Sequence, residues 1–173
     1  MTCSLVVNSK SGNTRMVSGA IKRALQAAGV EFVHAAALSD DADPEQVMNE
    51  AQGACAADTV FVGFWCDKGT CSPSVAALLS ALHGKRVFLF GTCGFGASEE
   101  YFNQIIDRVT SNLADDAELA GWAMCQGKWA PRSNNATRPC SSRIPTMPAL
   151  RCCSTTGLPQ RITPPRRTWT TWP

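Results

Sequence analysis

The chain reads as an α/β protein with a five-stranded parallel sheet wound on both faces by helices, and two observations predict it. Short apolar runs alternate with helix-patterned segments along residues 1–125, which implies parallel strands joined by crossover helices. The third apolar run, Thr59–Phe64, has no polar face, as expected of a strand covered on both sides.

The elements follow in order. Cys3–Asn8 is the first strand, and Thr14–Ala28 a helix that Gly29 stops. Phe32–Ala36 is the second strand. Asp43 caps a helix whose first turn holds Pro44 and which runs to about Gly53. After the third strand, Ser72 and Pro73 start a helix to about Leu82. Arg86–Phe90 is the fourth strand, Ser98–Leu113 a long helix with Tyr101 or Phe102 packed in the core, and Leu119–Cys125 the fifth strand. Ligands of such sheets bind beyond the carboxyl ends of the strands, where the strand order reverses. The loops after strands one, three and four are therefore the candidate site.

The first loop, Ser9-Lys10-Ser11-Gly12-Asn13-Thr14, lies between a strand and a helix start. Hydroxyls of Ser9, Ser11 and Thr14 can donate to phosphate oxygens. Gly12 allows close backbone approach, and the helix start aims its N–H groups at the same place. The plain alternative is a capped helix start. The loop lacks the G-x-x-x-x-G-K-[ST] spacing of a triphosphate site, and no G-x-G-x-x-G follows the strand, so a single phosphate fits better.

The third-strand loop runs from Trp65 through Cys66, Asp67, Lys68 and Gly69. Trp65 can cover a planar ring and Gly69 lets a peptide group turn beside it; the alternative is that Trp65 only closes the sheet end. Asp67 and Lys68 read equally well as a solvated turn. The fourth-strand loop, Gly91-Thr92-Cys93-Gly94-Phe95-Gly96, has three glycines in six residues. Its backbone and Thr92 can donate to a ring's carbonyl edge, or the segment is a flexible turn. Cys93 lacks the C-x5-R context of a phosphate-cleaving thiol and reads as a small buried side chain.

Composition excludes several classes. Residues 1–128 carry 9 Lys/Arg against 14 Asp/Glu, a net −5, which argues against nucleic acid and suits docking to basic protein surfaces. No apolar run approaches a membrane span, and the N-terminus lacks a basic-then-apolar leader, so the expected location is the cytoplasm with no membrane partner. Cysteines scattered singly among small and apolar residues suit reduced, buried thiols. Cys66 and Cys71 are spaced C-x4-C, but no second pair stands nearby and no metal is expected. Neither His34 nor His83 has a partner by spacing, and both read as surface or cap residues. No residue is assigned a catalytic role.

Residues 129–173 differ in character. They hold 8 of the 10 prolines and 7 Arg, with no Lys and no acid, which leaves no room for an ordinary helix. Three readings apply: a basic disordered arm for an acidic partner, an inert tail, or an out-of-frame translation of a GC-rich gene. The composition favours the third. One permitted GC-rich back-translation of Ile162–Pro173, shifted in frame, encodes an acidic, helix-like stretch.

Together the three loops resemble a flavodoxin over about residues 3–128. Ser9 to Thr14 is similar to the flavodoxin loop Thr/Ser-x-Thr/Ser-Gly-Asn-Thr that grips the phosphate of flavin mononucleotide (FMN). Val62-Gly63-Phe64-Trp65 with Asp67-Lys68-Gly69, then Lys85 through Thr92, looks like a compact single-domain bacterial branch. The resemblance implies FMN binding and one- or two-electron transfer between redox proteins, with Ser9 to Thr14 on the phosphate. Trp65 to Gly69 and Thr92, Cys93, Gly94 and Phe95 would flank the isoalloxazine. The family closes with a helix after the fifth strand, and the segment past Lys128 is expected to lack it or disrupt it. An uncovered face of a few hundred Å2, at roughly 25 cal/mol per Å2, would matter against a net stability of about 5–15 kcal/mol. Two alternatives remain: an FMN-dependent NAD(P)H reductase, and a module that binds a phosphate ligand without redox chemistry. The short chain leaves little room for a nicotinamide pocket.

Overall fold

The computed structural model describes residues 2–95 and 98–128. Gly96, the expected closing helix and the whole of 129–173, with its three readings, lie outside the described residues.

Among the described residues, five strands and four helices alternate: β1 Thr2–Asn8, α1 Asn13–Ala27, β2 Glu31–Leu38, α2 Pro44–Ala54, β3 Thr59–Trp65, α3 Pro73–Ala81, β4 Arg86–Cys93, α4 Glu99–Thr110 and β5 Glu118–Gln126. All strand pairs are parallel, in the order β2-β1-β3-β4-β5. The chain steps from β1 outward to β2, then back across β1 to β3. The reversal lies between β1 and β3, so the loops after those strands border one crevice.

The larger core packs α2, α3 and α4 against one sheet face, with Val60, Val62, Phe64, Leu78, Leu79, Leu89, Ile105 and Val109 all fully buried. Large apolar side chains buried in this way stabilise by about 1.5–3 kcal/mol each. On the other face, Val17 and Ile21 of α1 pack with Leu5, Val7, Phe61, Phe88 and Phe90. Phe90 sits so close to Gly63 that a β-carbon there would overlap its ring.

Three elements differ from the sequence reading by two residues or more at an end. β2 runs from Glu31 to Leu38, because its outer residues pair with Thr2 and Asn8 of β1 although its exposure alternates as in a half-covered edge strand. β4 continues through Thr92 and Cys93, which pair with Cys125 and Gln126 of β5, so the glycine-rich loop begins as strand. α4 ends at Thr110, where Asn112 Nδ2 donates to the carbonyls of Arg108 and Val109 and closes the last turn. Both Tyr101 and Phe102 pack against the larger core.

Candidate functional site

Phosphate recognition at a helix start needs N–H groups that the helix itself leaves unsatisfied. The side chains of Asp43, Ser72 and Ser98 cap α2, α3 and α4 by accepting from Gln46, Val75 and Tyr101. α1 differs. Its N-cap is Gly12, which has no side-chain cap and lies in the left-handed region at φ 85°, and its first turn carries no acid. A β-carbon on Gly12 would meet nothing within 4 Å among the described residues, so space stands open over the loop. The Asn13 and Thr14 amides at the start of α1 and its dipole therefore face a place where an anion can sit.

The loop side chains are ordered around that place. Ser9 Oγ accepts from the Arg15 amide at 3.2 Å and keeps its own proton to donate. Asn13 Nδ2 donates to Ser11 Oγ at 3.0 Å and to the Lys128 carbonyl at 3.1 Å, which brings the end of β5 to the loop. Thr14 is fully buried, and its hydroxyl pairs with that of Thr92 at 2.8 Å. Lys10 is exposed, with its ammonium 4.7 Å from the centre of the Trp65 ring.

Trp65 is half-buried at the end of β3, and its indole N–H donates to Asp40 Oδ1 at 2.9 Å. The chain then turns tightly. The Cys66 amide donates to the Thr92 carbonyl at 2.8 Å, and Asp67 and Thr70 exchange backbone hydrogen bonds at 2.8 and 3.0 Å. Lys68 (φ 49°) and Gly69 (φ 87°) make this turn in left-handed conformations. Arg108 Nη1, from α4, donates to the Gly69 carbonyl at 3.2 Å. Asp67 and Lys68 are exposed.

Thr92 and Cys93 are buried, whereas Gly94 and Phe95 are exposed. The Cys93 carbonyl accepts from the Gly127 amide at 2.8 Å. A β-carbon on Gly94 would touch nothing within 4 Å among the described residues. Burial pushes the Cys66, Cys71 and Cys93 thiols above their ordinary range and so favours their neutral form. The six cysteines among the described residues form no disulfide.

The fold thus gathers the loop from Ser9 to Thr14, the Trp65 turn and the Thr92 segment at one end of the sheet. It sets Thr92 against the start of α1. Sequence reading missed three contributors: Asp40, Asn8 and Arg108. Asn8 Nδ2 donates to Asp40 Oδ1 at 2.8 Å and to the Leu38 carbonyl at 3.0 Å. An acid two residues past an edge strand and an asparagine closing β1 were the available signals. Both histidines also acquire carboxylate partners that spacing did not indicate: His34 Nε2 meets Glu50 and His83 Nδ1 meets Asp116, each at 2.9 Å. No cluster of three or more metal-ligating side chains occurs among the described residues. No described helix is long and apolar enough to cross a membrane.

A 2-1-3-4-5 parallel sheet with helices on both faces and three loops converging at one end defines a doubly wound α/β module. The family model described as "Flavodoxin domain" matches residues 4–146, and the chain belongs to that family. The match runs on past Lys128. The chain is 33% identical over 135 residues to the flavodoxin-like domain-containing protein BilS of Clostridium symbiosum, covering 74% of this chain and 69% of that one. It is 40% identical over 73 residues to BilS of Clostridioides difficile, a match that spans 42% of the length of each. Among solved structures it is similar to a short-chain flavodoxin associated with a bacterial microcompartment (TM-score 0.55, 18% identity, 74% of this chain and 85% of that one). It is also similar to a variant flavo di-iron protein from Thermotoga maritima (TM-score 0.51, 14% identity, 75% of this chain and 32% of that one). At these identities the two structures bear on fold alone.

Proposed function

We propose that this chain binds FMN and carries electrons between redox proteins. The observation that carries the reading is the start of α1 at Gly12, an N-cap with no side chain of its own, opening at the same end of the sheet as Trp65 and Gly94. The family match supports a flavin-binding electron-transfer module. The hydroxyls of Ser9 and Ser11 and the backbone amides of Asn13 and Thr14 would hold the phosphate with neutral donors. Trp65 would cover one ring face, and the turn from Cys66 to Gly69 and the segment from Thr92 to Phe95 would border the ring. Bound flavin would supply one- or two-electron chemistry. The chain's own residues would shield the ring and set its potential through hydrogen bonds and charge.

The acidic surplus of residues 1–128, 14 acids against 9 bases, disfavours negative charge gained on reduction and lowers the potential. The same surplus suits redox partners with basic docking surfaces. Six cysteines that form no disulfide among the described residues suit a reducing cytoplasm.

The test is uptake of FMN by the purified chain, followed by removal of unbound ligand and a visible absorption spectrum. A retained, structured flavin band supports the reading. A colourless but folded protein overturns it and leaves a module without redox chemistry. Riboflavin, which lacks the phosphate, should bind more weakly. Slow reduction by NADPH alone, with fast exchange to a redox protein, marks a carrier; rapid NADPH turnover with a quinone marks a reductase.

A further inference from the structure

Asp40 lies two residues past the end of β2 and is half-buried. Its Oδ1 accepts from Trp65 Nε1 at 2.9 Å and from Asn8 Nδ2 at 2.8 Å. Asn8 immediately precedes the phosphate loop, and Trp65 immediately precedes the Cys66–Gly69 turn. One carboxylate oxygen therefore ties together the roots of two of the three loops, on strands that neighbour one another in the sheet. Asn8 is 2% exposed, and its Oδ1 is buried with no hydrogen-bond partner among the described residues. The amide thus keeps an orientation that satisfies Leu38 and Asp40 at the cost of its own acceptor. The Lys10 ammonium, 4.7 Å from the Trp65 ring centre, adds a cation–π contact from the phosphate loop itself.

We propose that Asp40 is a positioning residue: it sets the plane of Trp65 and the spacing between the phosphate loop and the ring-covering loop. An indole at a strand end can turn about two side-chain torsions. A hydrogen bond to an ionised acceptor is among the stronger restraints available to it. With Asp40 in place, the aromatic wall is set before a ligand arrives, and less ordering is left to binding. The flavin half of this inference rests on the function proposed above; the Asp40–Trp65 tether does not.

The test combines Asp40→Ala, Asp40→Asn and Trp65→Phe in the full chain. In the ligand-free protein, the indole N–H resonance that disappears in Trp65→Phe belongs to Trp65. It should shift in Asp40→Ala and stay nearer its parent position in Asp40→Asn, which keeps an acceptor oxygen. Asp40→Ala should weaken FMN and riboflavin alike by about tenfold, and Asp40→Asn should recover most of that loss. In the Trp65→Phe background, which has no indole N–H, Asp40→Ala should cost little more. An indole resonance unmoved by Asp40→Ala overturns the tether. Equal losses from Asp40→Ala with and without the indole overturn the positioning role. A folded parent that takes up no flavin overturns the carrier reading and the flavin half of this inference, and the indole shift alone then decides the tether.

Discussion

Thr14 Oγ1 and Thr92 Oγ1 lie 2.8 Å apart, buried, and join residues 78 positions apart in the chain. One belongs to the first turn of α1 and the other to the end of β4, so the bond pins the loop from Ser9 to Thr14 to the segment that follows the fourth strand. Replacing either by Val leaves the other hydroxyl buried without its partner. Each single substitution should cost about 1–3 kcal/mol, while the double Val variant should cost clearly less than the sum. Urea unfolding of the four proteins in this cycle measures it, and additive losses would show that the pair is not coupled.

Gly69→Ala should destabilise the chain. Gly69 sits at φ 87°, and a β-carbon would come 2.5 Å from Arg108 Nη1. The left-handed conformation costs an L-residue roughly 1–2 kcal/mol, and displacing Arg108 adds the loss of its bond to the Gly69 carbonyl. Gly94→Ala is the control: nothing among the described residues lies within 4 Å of its β-carbon, and stability should stay within about 0.5 kcal/mol. Thermal or urea denaturation compares the two, and equal stabilities would refute the strain.

The pairing of His83 with Asp116 lowers the Asp116 carboxyl below its ordinary 3.8, with the His83 hydrogen bond as the first cause. A carboxyl lowered in the folded state adds stability above its unfolded value and loses it as pH falls through the lower folded value. Replacing His83 with Ala should therefore raise the Asp116 midpoint towards 3.8. Side-chain carboxyl chemical shifts followed across the acid range would show it; an unmoved midpoint would exclude His83 as the cause.

Burial raises the Cys66, Cys71 and Cys93 thiols above 9.0, and charge on Cys66 would further oppose ionisation of Cys71 and Cys93. Their contribution to stability is complete below the unfolded value and is lost as pH climbs through the raised folded values. Iodoacetamide at mildly alkaline pH should label all three far more slowly in the native chain than in urea. Peptide mass spectrometry resolves each site, and native labelling at the denatured rate would refute the burial.

The alternation of apolar and helical patterns determined the parallel sheet, and short-range capping chemistry at Asp43, Ser72 and Ser98 determined where three helices begin. Both are local: a strand's burial and a helix's first turn depend on residues within a few positions. The loop from Ser9 to Thr14 was legible for the same reason, since its hydroxyls, its glycine and the helix start are contiguous in the chain. The contacts that join the loops were not. Asp40 meets Asn8 and Trp65 only because β2, β1 and β3 lie side by side, and Thr14 meets Thr92 only because β4 follows β3 in the sheet. The pairing of His34 with Glu50 likewise depends on α2 folding back over β2. A carboxylate or hydroxyl carries no mark of its partner across tens of residues. Hydrogen bonds of that reach are selected by the packing of the sheet and its helices, which only the tertiary structure decides.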